Sequence, residues 1–199
     1  MKREGASRQA TVVVVGLGPA GVDLLVPLAR QAIERVNRRY VRTGRHPAVQ
    51  ALESEGLAFT TFDDVYDRLD SLEAVYREMA SVLARVAVEE GEVLYAVPGA
   101  PVLAERTVAL LREAADVRIE VVPGLSFAEY AWNRLGIDPL SGAGARVVDG
   151  RKLEEELPLD GGTFLIAQCD GRLRLSDLKV SLLERVPPEA PVTVLHHLG

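Results

Sequence analysis

The residues best placed to hold a ligand are glycines and prolines gathered in short runs: Gly16-Leu17-Gly18-Pro19-Ala20-Gly21, Pro98-Gly99-Ala100-Pro101 and Pro123-Gly124-Leu125-Ser126. Glycine lets backbone N–H and C=O groups come close to a ligand, and proline holds such a loop in place. With no nucleophile-base pair among them, the chemistry they suit is binding and alignment of a small molecule. The first run also matches the G-x-G-x-x-G dinucleotide fingerprint. That fingerprint needs an acid about 20 positions further on to hold ribose hydroxyls. Asn37–Thr43 supplies Arg38, Arg39 and Arg42 and no acid. An arginine suits an NADP phosphate, so a NADP- or FAD-binding oxidoreductase stays open as an alternative.

A second set, Arg42, Arg45 and His46, falls in one loop and suits an anionic substrate, the competing reading being a plain surface loop. The lone Cys169 reads as a small packing residue rather than a nucleophile, and His196 and His197 as structural or cleft-lining. Glu154–Glu156 is an acidic run of the kind that forms a solvated face, and no metal site is expected. No residue is assigned a catalytic role.

The elements that position these loops alternate between strand and helix. Thr11–Val15 is a β-branched run closed by Gly16 and predicts a strand buried on both faces. Helix is expected over Asp23–Val36, strand over Arg38–Thr43, a short helix over Pro47–Glu55 and strand over Gly56–Phe62. Leu72, Val75, Met79, Val82, Leu83 and Val86 make an apolar stripe along a helix from Ser71 to Glu90, with Asp70 and Glu73 as a capping pair and Gly91 as its stop. Strand Val93–Val97, a helix Val102–Ala115 opened by Pro101, and strand Val117–Val122 follow. A further helix opens at Ser126 with Glu129 as a capping box. Beyond Gly136 come strands at Arg146–Val148, Thr163–Gln168 and Pro191–Leu195 and a helix at Ser176–Val186. Such alternation predicts an α/β fold with a mainly parallel first sheet. Each glycine-rich run then follows a strand, on the edge of the sheet where open α/β folds bind ligands.

The expected organisation is a disordered tail over 1–10, a first α/β lobe over 11–122 and a second over 123–199, with the boundary near Val122–Ser126. The chain ends just after a predicted strand, so further sequence is expected beyond Gly199. At 199 residues, 48% hydrophobic and 26% charged, the chain can bury a core and stay soluble. A net charge of −6 argues against nucleic acid as the main partner. A single cysteine, a polar N-terminus and the lack of an apolar run long enough to span a bilayer point to a cytoplasmic protein with no membrane partner.

Taken together the loops carry a resemblance. Val15-Gly16-Leu17-Gly18-Pro19 followed by Asp23-Leu24-Leu25 resembles the G-x-G-P-G-D-x-x-L-L opening of the tetrapyrrole (corrin/porphyrin) methylases. Tyr95-Ala96-Val97-Pro98-Gly99-Ala100-Pro101 resembles that family's second, glycine-Asp-Pro loop, and Val121-Val122-Pro123-Gly124-Leu125-Ser126 its V-P-G-x-S motif. Arg42-Thr43, Arg45-His46-Pro47, Phe62-Asp63-Asp64, Gly136-Ile137-Asp138-Pro139-Leu140 and Ile166-Ala167-Gln168 are similar to the branch that continues into a MazG-type nucleotide pyrophosphohydrolase. The resemblance implies two α/β lobes, a mainly parallel sheet in the first and a mixed one in the second, with a cleft between them. It also implies a homodimer that binds S-adenosylmethionine and methylates a tetrapyrrole-like or related small molecule. By motif, Gly16, Gly18 and Pro19 would line the floor of the site. Pro98, Gly99, Ala100 and Pro101 would contact the methionine part of the cofactor, Ser126 and Phe127 its sulfonium end, and Ala167 and Gln168 would add contacts from the second lobe. Two departures stand out. Ala20-Gly21 replaces the family's Gly-Asp, and Ala100 replaces an Asp. Both bear on turnover more than on fold, so a non-catalytic cofactor-binding or dimerisation module attached to a hydrolase stays open beside the methyltransferase.

Overall fold

A computed structural model describes residues 9–113, 116–153, 161–169 and 171–196. The expected N-terminal tail (as far as residue 8), the Glu154–Glu156 run and His197 lie outside the described residues.

The central strand is β1 (Thr11–Gly16), whose four valines are fully buried. β-Branched side chains fit a pleated strand covered on both faces. Around it lie β2 (Arg39–Val41), β3 (Thr60–Thr61), β4 (Glu92–Val97) and β5 (Arg118–Val122). They form one sheet in the order β3-β2-β4-β1-β5, and every pairing is parallel. The helices are α1 (Pro27–Arg35), α2 (Pro47–Ser54), α3 (Asp63–Arg68), α4 (Leu72–Glu90) and α5 (Arg106–Glu113).

The strand period of two splits the core. Val13 and Val15 of β1 and Leu94 and Ala96 of β4 pack with Ala29 and Ile33 of α1 and Val49 and Leu52 of α2. Val12, Val14, Val93, Tyr95 and Val97 pack on the other face with Val75, Met79 and Leu83 of α4 and Val108 and Leu111 of α5. The chain therefore leaves β1 toward one face through α1, and leaves its neighbour β4 toward the other through α5. The crevice outside the carboxyl ends of β1 and β4 is the switch point where such sheets bind ligands.

Several elements differ from expectation, each for a physical reason. The helix expected over Asp23–Val36 is a short 3₁₀ turn (Val22–Leu24) followed by α1. Val26, ahead of Pro27, is extended at ψ 145°, as the proline ring requires of its predecessor. The helix expected from Val102 begins only at Arg106, because Ala104 sits at φ 57° and breaks it. The second and third strands are shorter than predicted. Ser71, rather than Asp70, caps α4, its Oγ accepting from the Ala74 amide at 3.2 Å. Among the described residues no helix is long and apolar enough to cross a membrane.

The chain divides into two compact units between Phe127 and Ala128, slightly beyond the expected boundary, within α6 (Phe127–Leu135). The second unit contains β6 (Ala145–Asp149) and β7 (Thr163–Ala167), paired in parallel, and α7 (Arg172–Leu183). A mixed sheet was expected there, and the described strands are both parallel. The strand expected at Pro191–Leu195 does not form: Val192 and Val194 are exposed, and the segment pairs with no described strand.

Candidate functional site

Three loops meet backbone to backbone at the carboxyl edge of β1, β4 and β5. A Cβ placed on Gly16 would lie 2.6 Å from the Gly99 carbonyl oxygen and 2.7 Å from Gly124 Cα. One placed on Gly124 would lie 2.6 Å from the Gly16 carbonyl carbon and from the same Gly99 oxygen. Only glycine allows that approach. The first two loops are also joined by an isolated antiparallel bridge. The Gly99 amide donates to Gly18 O at 2.7 Å, and the Gly18 amide to Gly99 O at 3.3 Å. Both glycines have positive φ, 79° and 68°. The space a Cβ would take at Gly18 is blocked by Leu24 O at 2.7 Å, whereas at Gly99 it is open. Gly99 thus presents bare main chain to an unfilled position.

The other loop residues singled out by motif lie partly in the first unit and partly in the second. Pro19, Pro98 and Ala100 are half-buried, while Pro101 and Ser126 are buried and Phe127 is half-buried. Ala20 is buried at 4% exposure, so its methyl group is packed inside the loop. Asp23 is exposed, with Oδ1 close over Gly21. In the second unit, Ala167 ends β7, and Gln168 follows at φ 60°. Cys169 directs its thiol at the carbonyls of Ile166 and Ala167.

The loop after β2 is built differently. Arg42 forms an ion pair with Glu105 at 3.1 Å, and its Nε donates to Tyr66 Oη at 3.1 Å. The Glu105 side chain is 2% exposed, and Tyr95 Oη donates to its other oxygen at 3.5 Å. Burial pushes the Glu105 carboxyl above its ordinary range, and the Arg42 guanidinium and Thr107 offset this only in part. Arg42 is itself half-buried, which works against its charge, yet Glu105 and Tyr66 keep it firmly protonated. His46 is buried between two backbone partners, the Ala48 amide and Gly18 O. Of the three residues suited to an anion, only Arg45 has an exposed side chain. Burial raises the nearby Asp63 carboxyl, but bonds from Thr43 and the Gly44 amide, together with the charge of Arg45, bring it below its usual range. Arg42, Thr43, Arg45, Asp63, Tyr66 and Asp67 line a cleft of about 280 Å³. Another, of about 270 Å³, lies in the second unit between Gly150–Leu153 and α7, and the Gly150 amide in its lining donates to the Ala167 carbonyl at 2.8 Å.

The arginines that kept a NADP reading open are engaged within the protein. Arg38 pairs with Glu90 and lies over the Tyr40 ring, Arg39 donates to the Ile33 carbonyl, and Arg42 is held by Glu105.

The sequence profile of the tetrapyrrole (corrin/porphyrin) methylases matches residues 11–199. The chain belongs to that family. Tetrapyrrole methylases use S-adenosylmethionine as methyl donor. This methylase-family chain is 35% identical to the Bacillus subtilis protein YabN over 196 residues, covering 94% of the chain and 38% of YabN. It thus spans well under half the length of that relative. Among solved structures it is similar to uroporphyrin-III C-methyltransferase from Thermus thermophilus, with a TM-score of 0.62 at 26% identity, over 90% of this chain and 73% of that one. The CobF-like protein of Corynebacterium diphtheriae shares the fold, with a TM-score of 0.60 at 21% identity, over 84% of this chain and 75% of that one.

Sequence reasoning missed Glu105, Tyr66, Tyr95 and Thr107 as parts of the site's frame. Glu105 carries no local signal, because a single acid before a helix looks like an ordinary N-terminal charge. It also read His46 as facing a ligand, whereas both ring nitrogens face main chain.

Proposed function

We propose that this chain is an S-adenosylmethionine-dependent methyltransferase acting on a tetrapyrrole-like or related anionic small molecule, with the cofactor seated on the Gly16–Pro19, Pro98–Pro101 and Gly124–Phe127 loops. The observation that carries this reading is the meeting of Gly16, Gly99 and Gly124 main chain at the switch point, with open space above Gly99. A cradle made of backbone fits a ligand rich in polar groups along a bent chain, and glycine is what lets main chain stand in for side chains there.

The sulfonium of the bound cofactor supplies the methyl group and its own leaving group. The protein's part is alignment. The Gly18–Gly99 bridge fixes the floor, Pro98 and Pro101 stiffen the second loop, and buried Ser126 and half-buried Phe127 border the third. Holding reactants in line and excluding water are worth most where no general base is available. For the acceptor, Arg45 is the exposed cation at the neighbouring cleft and the contact proposed for substrate carboxylates. Arg42 serves this cleft from behind, through its bond to Tyr66.

A homodimer, a cytoplasmic setting and an attached MazG-type domain in the full-length protein belong to the same proposal. The lone cysteine supports the reducing compartment. A second reading is favoured by Ala100, which offers a methyl group where the family's loop carries a carboxylate. On that reading the chain binds cofactor as a sensing or dimerisation module without turnover. Incubation with labelled S-adenosylmethionine and uroporphyrinogen or a related tetrapyrrole separates the two. Methyl transfer that weakens on Arg45→Ala while cofactor affinity holds supports the enzyme. Cofactor binding with no transfer to any tetrapyrrole supports the module.

A further inference from the structure

His46 closes the gap between the β2 loop and the floor of the cofactor cradle. It precedes Pro47, which holds it extended at φ −77°, ψ 131°, and it caps α2. Its Nδ1 accepts from the Ala48 amide at 3.3 Å. An amide nitrogen can only donate, so Nδ1 carries no proton and the ring proton sits on Nε2. Nε2 lies 3.1 Å from Gly18 O, which can only accept. The two backbone partners thus fix one neutral tautomer. The ring is 7% exposed.

The same Gly18 oxygen accepts from the Gly99 amide at 2.7 Å. Two donors, one from the loop after β4 and one from the start of α2, therefore orient a single carbonyl. That carbonyl belongs to a residue at φ 79°, in the left-handed region that glycine adopts without strain. Rotating the Gly18 peptide would break the Gly18–Gly99 bridge and move the open face at Gly99.

We propose that His46 is a positioning residue for cofactor binding: its Nε2–H holds the Gly18 carbonyl so that the Gly18–Gly99 bridge presents its open face. The role is distinct from the capping of α2, which uses the other ring nitrogen, and distinct from contact with a substrate anion. It rests on the cofactor reading given above.

The two ring functions can be separated. Asn reaches about as far as Nδ1 and is a strong helix cap, but falls short of Gly18. Gln carries an amide N–H about as far as Nε2 and caps poorly. Titration calorimetry with S-adenosylhomocysteine and thermal melting are run on the wild type, His46→Asn and His46→Gln. The proposal expects His46→Asn to melt near the wild type but bind about tenfold more weakly, the worth of one hydrogen bond. It expects His46→Gln to melt lower yet bind within about threefold of the wild type. Affinity that follows melting temperature, or that is unchanged in both variants, overturns the positioning role while leaving the cofactor reading intact. A wild type that binds neither S-adenosylhomocysteine nor S-adenosylmethionine overturns both.

Discussion

Gly16 and Gly124 stand so close that neither could carry a side chain: a Cβ on Gly16 would lie 2.7 Å from Gly124 N and Cα. This contact welds the end of β1 to the end of β5, with the Gly99 carbonyl wedged against both. The obstructing atoms are all main chain, so no rotamer change can relieve them. Gly16→Ala and Gly124→Ala should each destabilise the first unit by about 1–3 kcal/mol, as overpacking does. Each should also lose S-adenosylmethionine binding, read by chemical denaturation and calorimetry on the same samples. Gly91, where a Cβ would meet open space, is the control: Gly91→Ala is strained at φ 86° but should leave affinity intact.

Arg42 and Glu105 form the frame behind the cleft. Arg42→Ala leaves a nearly inaccessible carboxylate without its cation and should cost about 3 kcal/mol at neutral pH. The pH dependence has a definite sign. Glu105 titrates above its unfolded value, so the native state binds the extra proton, and its contribution falls as pH rises through the native value. Without Arg42 that value rises further. The loss from Arg42→Ala should therefore shrink in mild acid and grow toward neutrality, as urea unfolding across a pH series would show.

Burial also lowers the His46 pKa below its ordinary 6.5, with the Gly18 carbonyl opposing the shift in part. Here the unfolded chain binds the proton first. Stability contributed by this ring should rise with pH between the depressed native value and 6.5, and level off above it. The wild-type stability curve should carry that slope and the His46→Asn curve should lack it. Equal slopes would mean that the ring is protonated in the native state.

The fold was legible where the sequence repeats a pattern. Val12–Val15 and the Val75, Met79, Leu83 and Val86 stripe announced a buried strand and an amphipathic helix, and both are there. Any one glycine loop could simply turn the chain; the set was legible because the loops after β1, β4 and β5 fall on one edge of a parallel sheet. What stayed hidden depends on partners far away in the chain. Arg42 and Glu105 are 63 residues apart, and nothing local marks either as half of a pair. His46 beside two arginines looked like part of an anion site, and only the fold brings Gly18 to its ring. Pro27 was visible, yet the helical spacing around it outweighed its effect on Val26.

Arg45 is the exposed cation through which the cleft would meet a carboxylate. Arg45→Ala should lower affinity for a tetrapyrrole carboxylate by about tenfold, and Arg45→Glu by more, with cofactor affinity unchanged. Equal affinity for the acceptor in all three proteins would remove Arg45 from the substrate site.

The most direct test of the account is titration calorimetry of the purified chain with S-adenosylmethionine and S-adenosylhomocysteine, beside Gly16→Ala and NADP as controls. Saturable binding of both cofactor forms by the wild type is expected, with none by Gly16→Ala and none of NADP. A folded wild-type chain that binds neither cofactor form would contradict it.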